Sequence, residues 1–488
     1  MMDVKSLFRR KISSEASGEG PKLSRVLGLF QLTLLGIGAM VGTGIFVTAG
    51  TAAAGGANHV GAGPALMVSF FITAVACGFA ALCYAEFAAM IPVAGSAYTY
   101  AYASFGEIIA WIIGWDLVLE YAVGNVAVAI GWSGYFTGLL RGMGIHLADW
   151  LTMNPMNATP EVFAAAPHLF GYPIVFNLPA IAVVLGVTAL LCVGIRESVR
   201  ANTLFVIINL TMILLFIVVG IFYVEPQNWT PFAPNGWNGV MSGAALIFFA
   251  FIGFDAISTA SEETKNPAKN VPRAILISLA VCAVLYSTVA AILTGLVPYA
   301  QLGLPEAVEQ PVAYAMRAIG QPWVAGILSA GAIIAMTSVL LVWQFGQTRI
   351  LYVMSRDGLL PEKLSRVDPK SHTPIAPTVI AGVLVAIAAG FLDISVAVEL
   401  TNIGTLFAFV LVSGGVLILR KIDPDRPRPF RVKWVPLVPL LAIGCCFYLM
   451  ASLPLVTWER FGIWLVIGLV LYFVFSRGHS LRGMNKAS

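Results

Sequence analysis

Residues 36–46 read Gly36-Ile37-Gly38-Ala39-Met40-Val41-Gly42-Thr43-Gly44-Ile45-Phe46. The run is apolar enough for a membrane span, yet four glycines fall within its first nine residues. Each glycine weakens a helix by about 1 kcal/mol relative to alanine. A second interrupted run reads Phe249-Ala250-Phe251-Ile252-Gly253-Phe254-Asp255-Ala256. Small residues at such spacing can mean close packing of continuous helices. They can also mean helices that stop partway across the bilayer, and the spacing of the two runs along the chain favours the second reading.

The chain has 488 residues, 59% of them hydrophobic and 11% charged, against about 25% charged in a soluble domain. Its mean hydropathy is +0.87. This composition excludes a soluble multidomain protein and a disordered chain. A β-barrel is excluded because the apolar runs are continuous, not alternating. A helix needs about 20 apolar residues to cross the hydrocarbon. Runs of that kind fall at 28–53, 64–91, 106–130, 174–195, 202–224, 239–260, 272–298, 323–347, 375–392, 401–419, 435–455 and 461–476. They predict an all-α integral membrane protein with twelve transmembrane helices. The glycine-broken runs are the first and the sixth, so each opens a five-helix unit. An odd number per unit inverts the second in the membrane, as in inverted-repeat transporters with discontinuous helices.

Lys and Arg set the orientation. With the N-terminus in the cytoplasm, 25 of the 28 basic residues fall on the cytoplasmic side, and only Arg141, Arg317 and Arg460 fall outside. Both termini are therefore expected in the cytoplasm and every basic residue in a loop or end. Four carboxylates remain within or at the edges of spans: Glu86, Asp116, Glu120 and Asp255. Glu86 and Asp255 lie near span ends within reach of water or interfacial partners, which suits structural or gating roles. Asp116 and Glu120 are i,i+4 neighbours on one helix face. Glu120 is placed deepest. It must face protein or a water-filled cavity, as a substrate or proton site or as a hydrogen-bonded structural carboxyl.

If the first helix is broken, the amides of Gly42, Thr43 and Gly44 point at one place, and amides at a helix N-terminus bind anions. They suit the carboxylate of an amino acid. The carbonyls of Met40, Phe249 and Ile252 suit its ammonium group.

These residues resemble a known group. GIGAMVGTGIF at 36–46 is similar to the first helix of the amino acid–polyamine–organocation superfamily. YAEFAAMIPVAGSAYTYAYASFGE at 84–107, FFAFIGFDAISTASEETKNPAKNVP at 248–272 and SRDGLLP at 355–361 resemble further stretches of the same superfamily. GWDLVLEYAVG at 114–124 narrows the resemblance to the cationic amino acid transporter family, in its bacterial form. It covers about residues 25–480. It implies a LeuT-type 5+5 inverted repeat plus two extra helices, working by alternating access as helices 1, 2, 6 and 7 rock against the rest. Thr43 and Gly44 match the amides that hold the substrate carboxylate. Phe249 matches the aromatic that closes over the substrate, and Glu120 the carboxylate facing its side-chain end. The substrate-contacting set is then Met40, Gly42, Thr43, Gly44 and Ile45, with Phe249, Ala250, Ile252 and Gly253, and with Glu120 and Trp343. Phe249 and Asp255 are the gating candidates.

Two positions depart from the family pattern. Many proton-coupled bacterial relatives carry a lysine in the fifth helix, where sodium sits in sodium-dependent members; here Asn209 stands at that place and cannot titrate. Eukaryotic members tend to carry Asn there and often work as facilitators. Thr337 and Ser338 of the eighth helix lie near the same place, so a hydroxyl-lined cation site stays open. With Glu120 and Asn209 they form the coupling-site candidates. Trp343 replaces a Met or smaller residue: pointing inward it shortens the pocket against arginine, and pointing outward it has no bearing on substrate.

Other features carry less. Cys77, Cys83, Cys192, Cys282, Cys445 and Cys446 read as packing residues. His59, His146, His168, His372 and His479 show no ligand spacing. No phosphate-binding loop appears, and the basic, proline-rich run at 421–434 reads as a connector near anionic lipid. No metal, cofactor, nucleic acid or enzymatic chemistry is expected. The expected organisation is a cytoplasmic leader 1–26, repeats 27–224 and 225–420, a final helix pair 421–476 and a cytoplasmic tail 477–488. The expected function is a secondary L-amino-acid permease of the cell inner membrane, with membrane lipid as its surroundings. A cationic or a small or branched neutral substrate fits, and proton symport, facilitation and exchange are all open. The rival reading is an amino acid sensor on the same scaffold.

Overall fold

The computed structural model describes Arg10 and residues 27–476, apart from 57–58, 94, 194, 262–263, 370 and 372, with backbone alone at 195–201. The rest of the leader 1–26, the tail 477–488 with His479, and His372 lie outside the described residues. Hydrocarbon offers no water to backbone N–H and C=O groups, so an apolar run must bond within itself as a helix. The elements in order are α1 (Leu29–Met40 and Gly44–Ala54), α2 (Gly63–Met90), α3 (Glu107–Gly142), α4 (Leu178–Val193), α5 (Ile195–Gly220) and α6 (Gly236–Thr259). They continue as α7 (Pro267–Leu296), α8 (Pro322–Arg356), α9 (Ile375–Phe391), α10 (Ile394–Ile422), α11 (Leu437–Ala451) and α12 (Leu455–Ser476). Among the described residues, eight helices are long and apolar enough to cross a membrane, and the two halves of α1 bend by 40° at their break. The helices α4, α9 and α11 are apolar but shorter, at 16, 17 and 15 residues.

Many element bounds follow the apolar runs to within a few residues, but α5 and α10 begin about seven residues early, α12 about six, α8 runs about nine residues past its run, and α3 departs most. α3 continues to Gly142, twelve residues past its apolar run. The extension carries polar atoms, but neighbours satisfy them. Trp132 donates to Thr337 Oγ1 at 3.0 Å, Ser133 to Asn177 Oδ1 at 2.6 Å and Tyr135 to the Phe46 carbonyl at 2.7 Å.

Two groups of helices emerge from the packing. α1, α2, α6 and α7 lie against one another, as do α3, α4, α8 and α9. α10 joins α3 to α11, and α12 runs along α3 and α10. Tryptophans lock α12 in place. Trp115 and Trp464 stack at 4.3 Å and exchange hydrogen bonds with each other's carbonyls, while Trp111 donates to the Gly468 carbonyl at 2.8 Å.

One sequence expectation narrows here and another changes. Of water and interfacial partners, Glu86 meets the partners and is fully buried. Arg420 donates to it twice, at 3.0 and 2.6 Å, the Val432 amide donates at 2.7 Å, and Arg428 lies 3.4 Å away. This cluster ties the connector after α10 to the end of α2. Arg349 is not in a loop but within α8, buried, with its guanidinium 4.8 Å from the Phe345 ring centre. Removing one partner of a buried ion pair costs about 3–5 kcal/mol, because the other charge stays uncompensated. Glu86→Ala should therefore lower the melting temperature of the detergent-purified protein clearly. An unchanged value would show that both arginines find other partners.

Candidate functional site

The break in α1 is short. Met40 ends the first half, Val41 is extended with φ −84° and ψ 94°, and the second half starts at Gly44. The Val41 amide donates to Ile37, and the amides of Ile45 and Phe46 both donate to the Gly42 carbonyl, at 3.2 and 3.1 Å. The amides of Gly42, Thr43 and Gly44 enter no such bond among the described residues. They are the donors left at this helix start. Ile45 differs from them: its amide is engaged, and its buried side chain is what it offers.

α6 breaks in the same region. Phe248–Phe251 form a tight 3-10 turn, Ile252 is extended, Gly253 has φ +122°, and helix resumes at Ala256. The two breaks pack backbone on backbone. A methyl group on Gly44 would stand 2.8 Å from the Ala250 nitrogen, and one on Gly253 would stand 2.8 Å from the Ala39 carbonyl oxygen. Gly253 also needs a backbone conformation that side chains disfavour.

Side chains from the other helices satisfy most of the carbonyls so exposed. Trp343 Nε1 donates to Ala39 at 3.1 Å, and Asn209 Nδ2 donates to Val41 at 2.9 Å. Asn402 Nδ2 of α10 donates to Ala245 and Leu246 at 2.9 and 3.2 Å. The Phe249 carbonyl accepts from Ile252 at 3.3 Å. Among the described residues, the carbonyls of Met40 and Ile252 receive no such bond.

Trp343 points inward and is 2% exposed. Its ring lies 5.7 Å from Phe249 and 6.2 Å from Tyr121. It fits because residue 124 is glycine: a methyl there would overlap the indole, with Cε3 at 2.5 Å. Thr43 lies against another glycine of α3, Gly131, and its buried hydroxyl has no hydrogen-bond partner. Glu120, Gly124 and Gly131 share one face of α3 at spacings of four and seven. That face lines the junction of the two breaks, and its glycines, with Tyr121 and Asn402, were not singled out from sequence. The glycine spacing relative to Glu120 was the available signal.

The coupling candidates separate. Ser338 donates to Asn202 of α5 at 2.6 Å, beside Gly38. Thr337 is turned toward Trp132. Asn209 serves Val41, and its own Oδ1 has no partner.

The carboxylates converge. Asp116, Glu120 and Asp255 are all buried, so of the water or partners that its place near a span end suggested, Asp255 does not meet water. Tyr121 donates to Asp255 Oδ2 at 3.1 Å. Asp255 acts electrostatically on Glu120, as does Asp116, and the Thr405 hydroxyl of α10 lies within hydrogen-bonding reach of Glu120. Both oxygens of Asp116, Oε2 of Glu120 and Oδ1 of Asp255 have no hydrogen-bond partner. Among the described residues, no group of three His, Cys, Asp or Glu side chains has a metal-holding arrangement.

Comparison with known proteins gives a consistent set. The family profile described as amino acid permease matches residues 27–475. The chain is similar to the branched-chain amino acid permease BcaP of Bacillus subtilis (strain 168), with 51% identity covering 97% of this chain and 98% of that one. It is similar to the methylthioribose transporter of the same organism, with 47% identity over 98% and 99%. It is also similar to the vacuolar cationic amino acid transporter 4 of Arabidopsis thaliana, with 38% identity over 86% and 68%.

The junction makes two expectations. Gly44→Ala and Gly253→Ala should each reduce the yield of monodisperse protein on size exclusion, because both methyls meet backbone. Gly78→Ala, with nothing within 4 Å of the added methyl, should not; equal behaviour of all three would show that the breaks can spread apart. Asn209→Ala strands the Val41 carbonyl. It should cost about 1–3 kcal/mol, read as a lower melting temperature.

Proposed function

The chain belongs to the amino acid permease family, a multi-pass membrane protein, and from that premise we propose a secondary permease for a small or branched neutral L-amino acid. Twelve segments cross the cell membrane: α1–α5 and α6–α10 as inverted repeats of LeuT type, then α11 and α12. Both termini face the cytoplasm. The eight long helices, the bent α1 and the three shorter apolar helices support this count.

The substrate carboxylate docks on the amides of Gly42, Thr43 and Gly44. Its ammonium docks on the carbonyls of Met40 and Ile252, and Phe249 covers it. α1, α2, α6 and α7 then rock against α3, α4, α8 and α9, exposing the site to one side at a time.

One observation carries the choice of a neutral substrate: the Trp343 ring sits on Gly124, between the level of Thr43 and the level of Glu120. At 1.5 Å per residue, Gly131, where Thr43 lies, is about 10 Å beyond Gly124 along α3, and Glu120 is about 6 Å the other way. A cationic side chain held by its backbone at Thr43 would have to pass the indole to reach Glu120. The acidic groups around Glu120 therefore serve protons, and coupling runs through α3 and α6. The alternative within the same family is uncoupled facilitation or exchange. It draws support from Asn209, whose neutral amide fills a cation's role at Val41 without titrating.

Uptake into proteoliposomes tests this. Leucine, isoleucine, valine or alanine should enter saturably, and lysine and arginine should not. Trp343→Ala should shift preference toward longer side chains by about tenfold, the scale of a change in pocket size. Saturable lysine transport by the unaltered protein would overturn the neutral assignment. Glu120→Gln should abolish accumulation driven by a proton gradient and spare substrate exchange; undiminished accumulation would remove Glu120 from coupling.

A further inference from the structure

We propose that Asp116 is a second proton carrier, one helical turn below Glu120, through which the coupled proton passes between Glu120 and the cytoplasmic end of α3. This rests on the reading of Glu120 as the coupling carboxyl.

The motive is a contrast among buried acids. Glu86 is met by two arginines and an amide. Glu107 accepts from Tyr102 and from Tyr472 at 3.1 and 2.9 Å. Glu399 accepts from Thr457 at 2.6 Å. Asp116 is fully buried, and neither of its oxygens has a hydrogen-bond partner. A structural carboxyl would be held as those three are. A carboxyl with nothing to hold it, inside a membrane protein, marks an ion or proton path.

Its surroundings suit a transfer. Glu120 is four residues on, about 6 Å along the same face. From α6, Asp255 acts on Glu120 and is bonded by Tyr121. α10 presents Gly404, whose missing side chain leaves room at Asp116: a methyl there would stand 2.8 Å from Oδ1. Toward the start of α3, Tyr98 lies against Gly114 and donates to the half-buried Asp357 at 2.9 Å. The step balances simply. The proton leaves the Glu120 carboxyl and joins the Asp116 carboxylate. Glu120 is left charged, and Asp116 then releases the proton to cytoplasmic water.

The test uses full-length protein in liposomes with a trapped pH dye, following proton entry driven by a neutral amino acid, alongside substrate exchange. Asp116→Asn should keep exchange and lose the substrate-linked proton signal, and Asp116→Glu should restore it. Gly404→Ala, which leaves the acid in place and crowds Oδ1, should slow the proton signal, and it serves if Asp116→Asn does not fold. A full proton signal in Asp116→Asn, or in Gly404→Ala where the former is unfolded, overturns the proposal. If Glu120→Gln loses the signal while Asp116→Asn keeps it, only the relay falls. If the unaltered protein moves no proton with substrate, the relay and the coupling reading fall together.

Discussion

Two interrupted helices cross with their backbones in contact, and the rest of the molecule is arranged around that contact. Gly44 meets Ala250 and Gly253 meets Ala39. Neither approach tolerates a side chain. Breaking a helix in a low-dielectric interior exposes amides and carbonyls that water cannot reach, each costing several kcal/mol if left unpaired. The neighbouring helices contribute the missing partners: Trp343 from α8, Asn209 from α5, Tyr135 from α3 and Asn402 from α10. Among the described residues, the donors left over are the amides of Gly42, Thr43 and Gly44, and free amides at a helix start are groups that can hold an anion. The break that must be stabilised is thus also the break that leaves donors free.

The same accounting separates the acidic residues into two kinds. Glu86 and Glu107 accept at both oxygens and Glu399 accepts from Thr457, and all three tie elements together. Asp116, Glu120 and Asp255 are gathered where α3, α6 and α10 meet, and each keeps at least one oxygen without a partner. Deep burial alone does not distinguish the kinds; Glu86 is as buried as Asp116. The presence or absence of a partner does.

Much of this was legible in the chain. Apolar length gave the helices, since hydrocarbon thickness imposes it directly, and glycine spacing gave the broken first and sixth. The rest depends on contacts that linear order does not carry. Glu86 and Arg420 are 334 positions apart, so linear order leaves open whether an acid near a span end meets water or a partner. Trp343 could face in or out, because its direction depends on how α8 is turned and on Gly124 across the site. The extension of α3 to Gly142 is polar enough to resemble a loop. It is helical because α1, α8 and the segment before α4 supply partners for its hydroxyls and indole.

Two side chains at the junction act together. Asn209 puts a neutral donor on the Val41 carbonyl, so the break in α1 is held without a cation or a titrating lysine in α5. Trp343 puts an indole on the Ala39 carbonyl two residues away and in the same stroke fills the space above Glu120. On the proposed function, the first removes a reason for coupling to pass through α5, and the second removes a path for a charged side chain to reach Glu120. On that reading the acids of α3 and α6, each with at least one oxygen lacking a hydrogen-bond partner, are shielded from the substrate and lie beside the moving break, where a carboxyl can sense the conformational change without recognising what is carried.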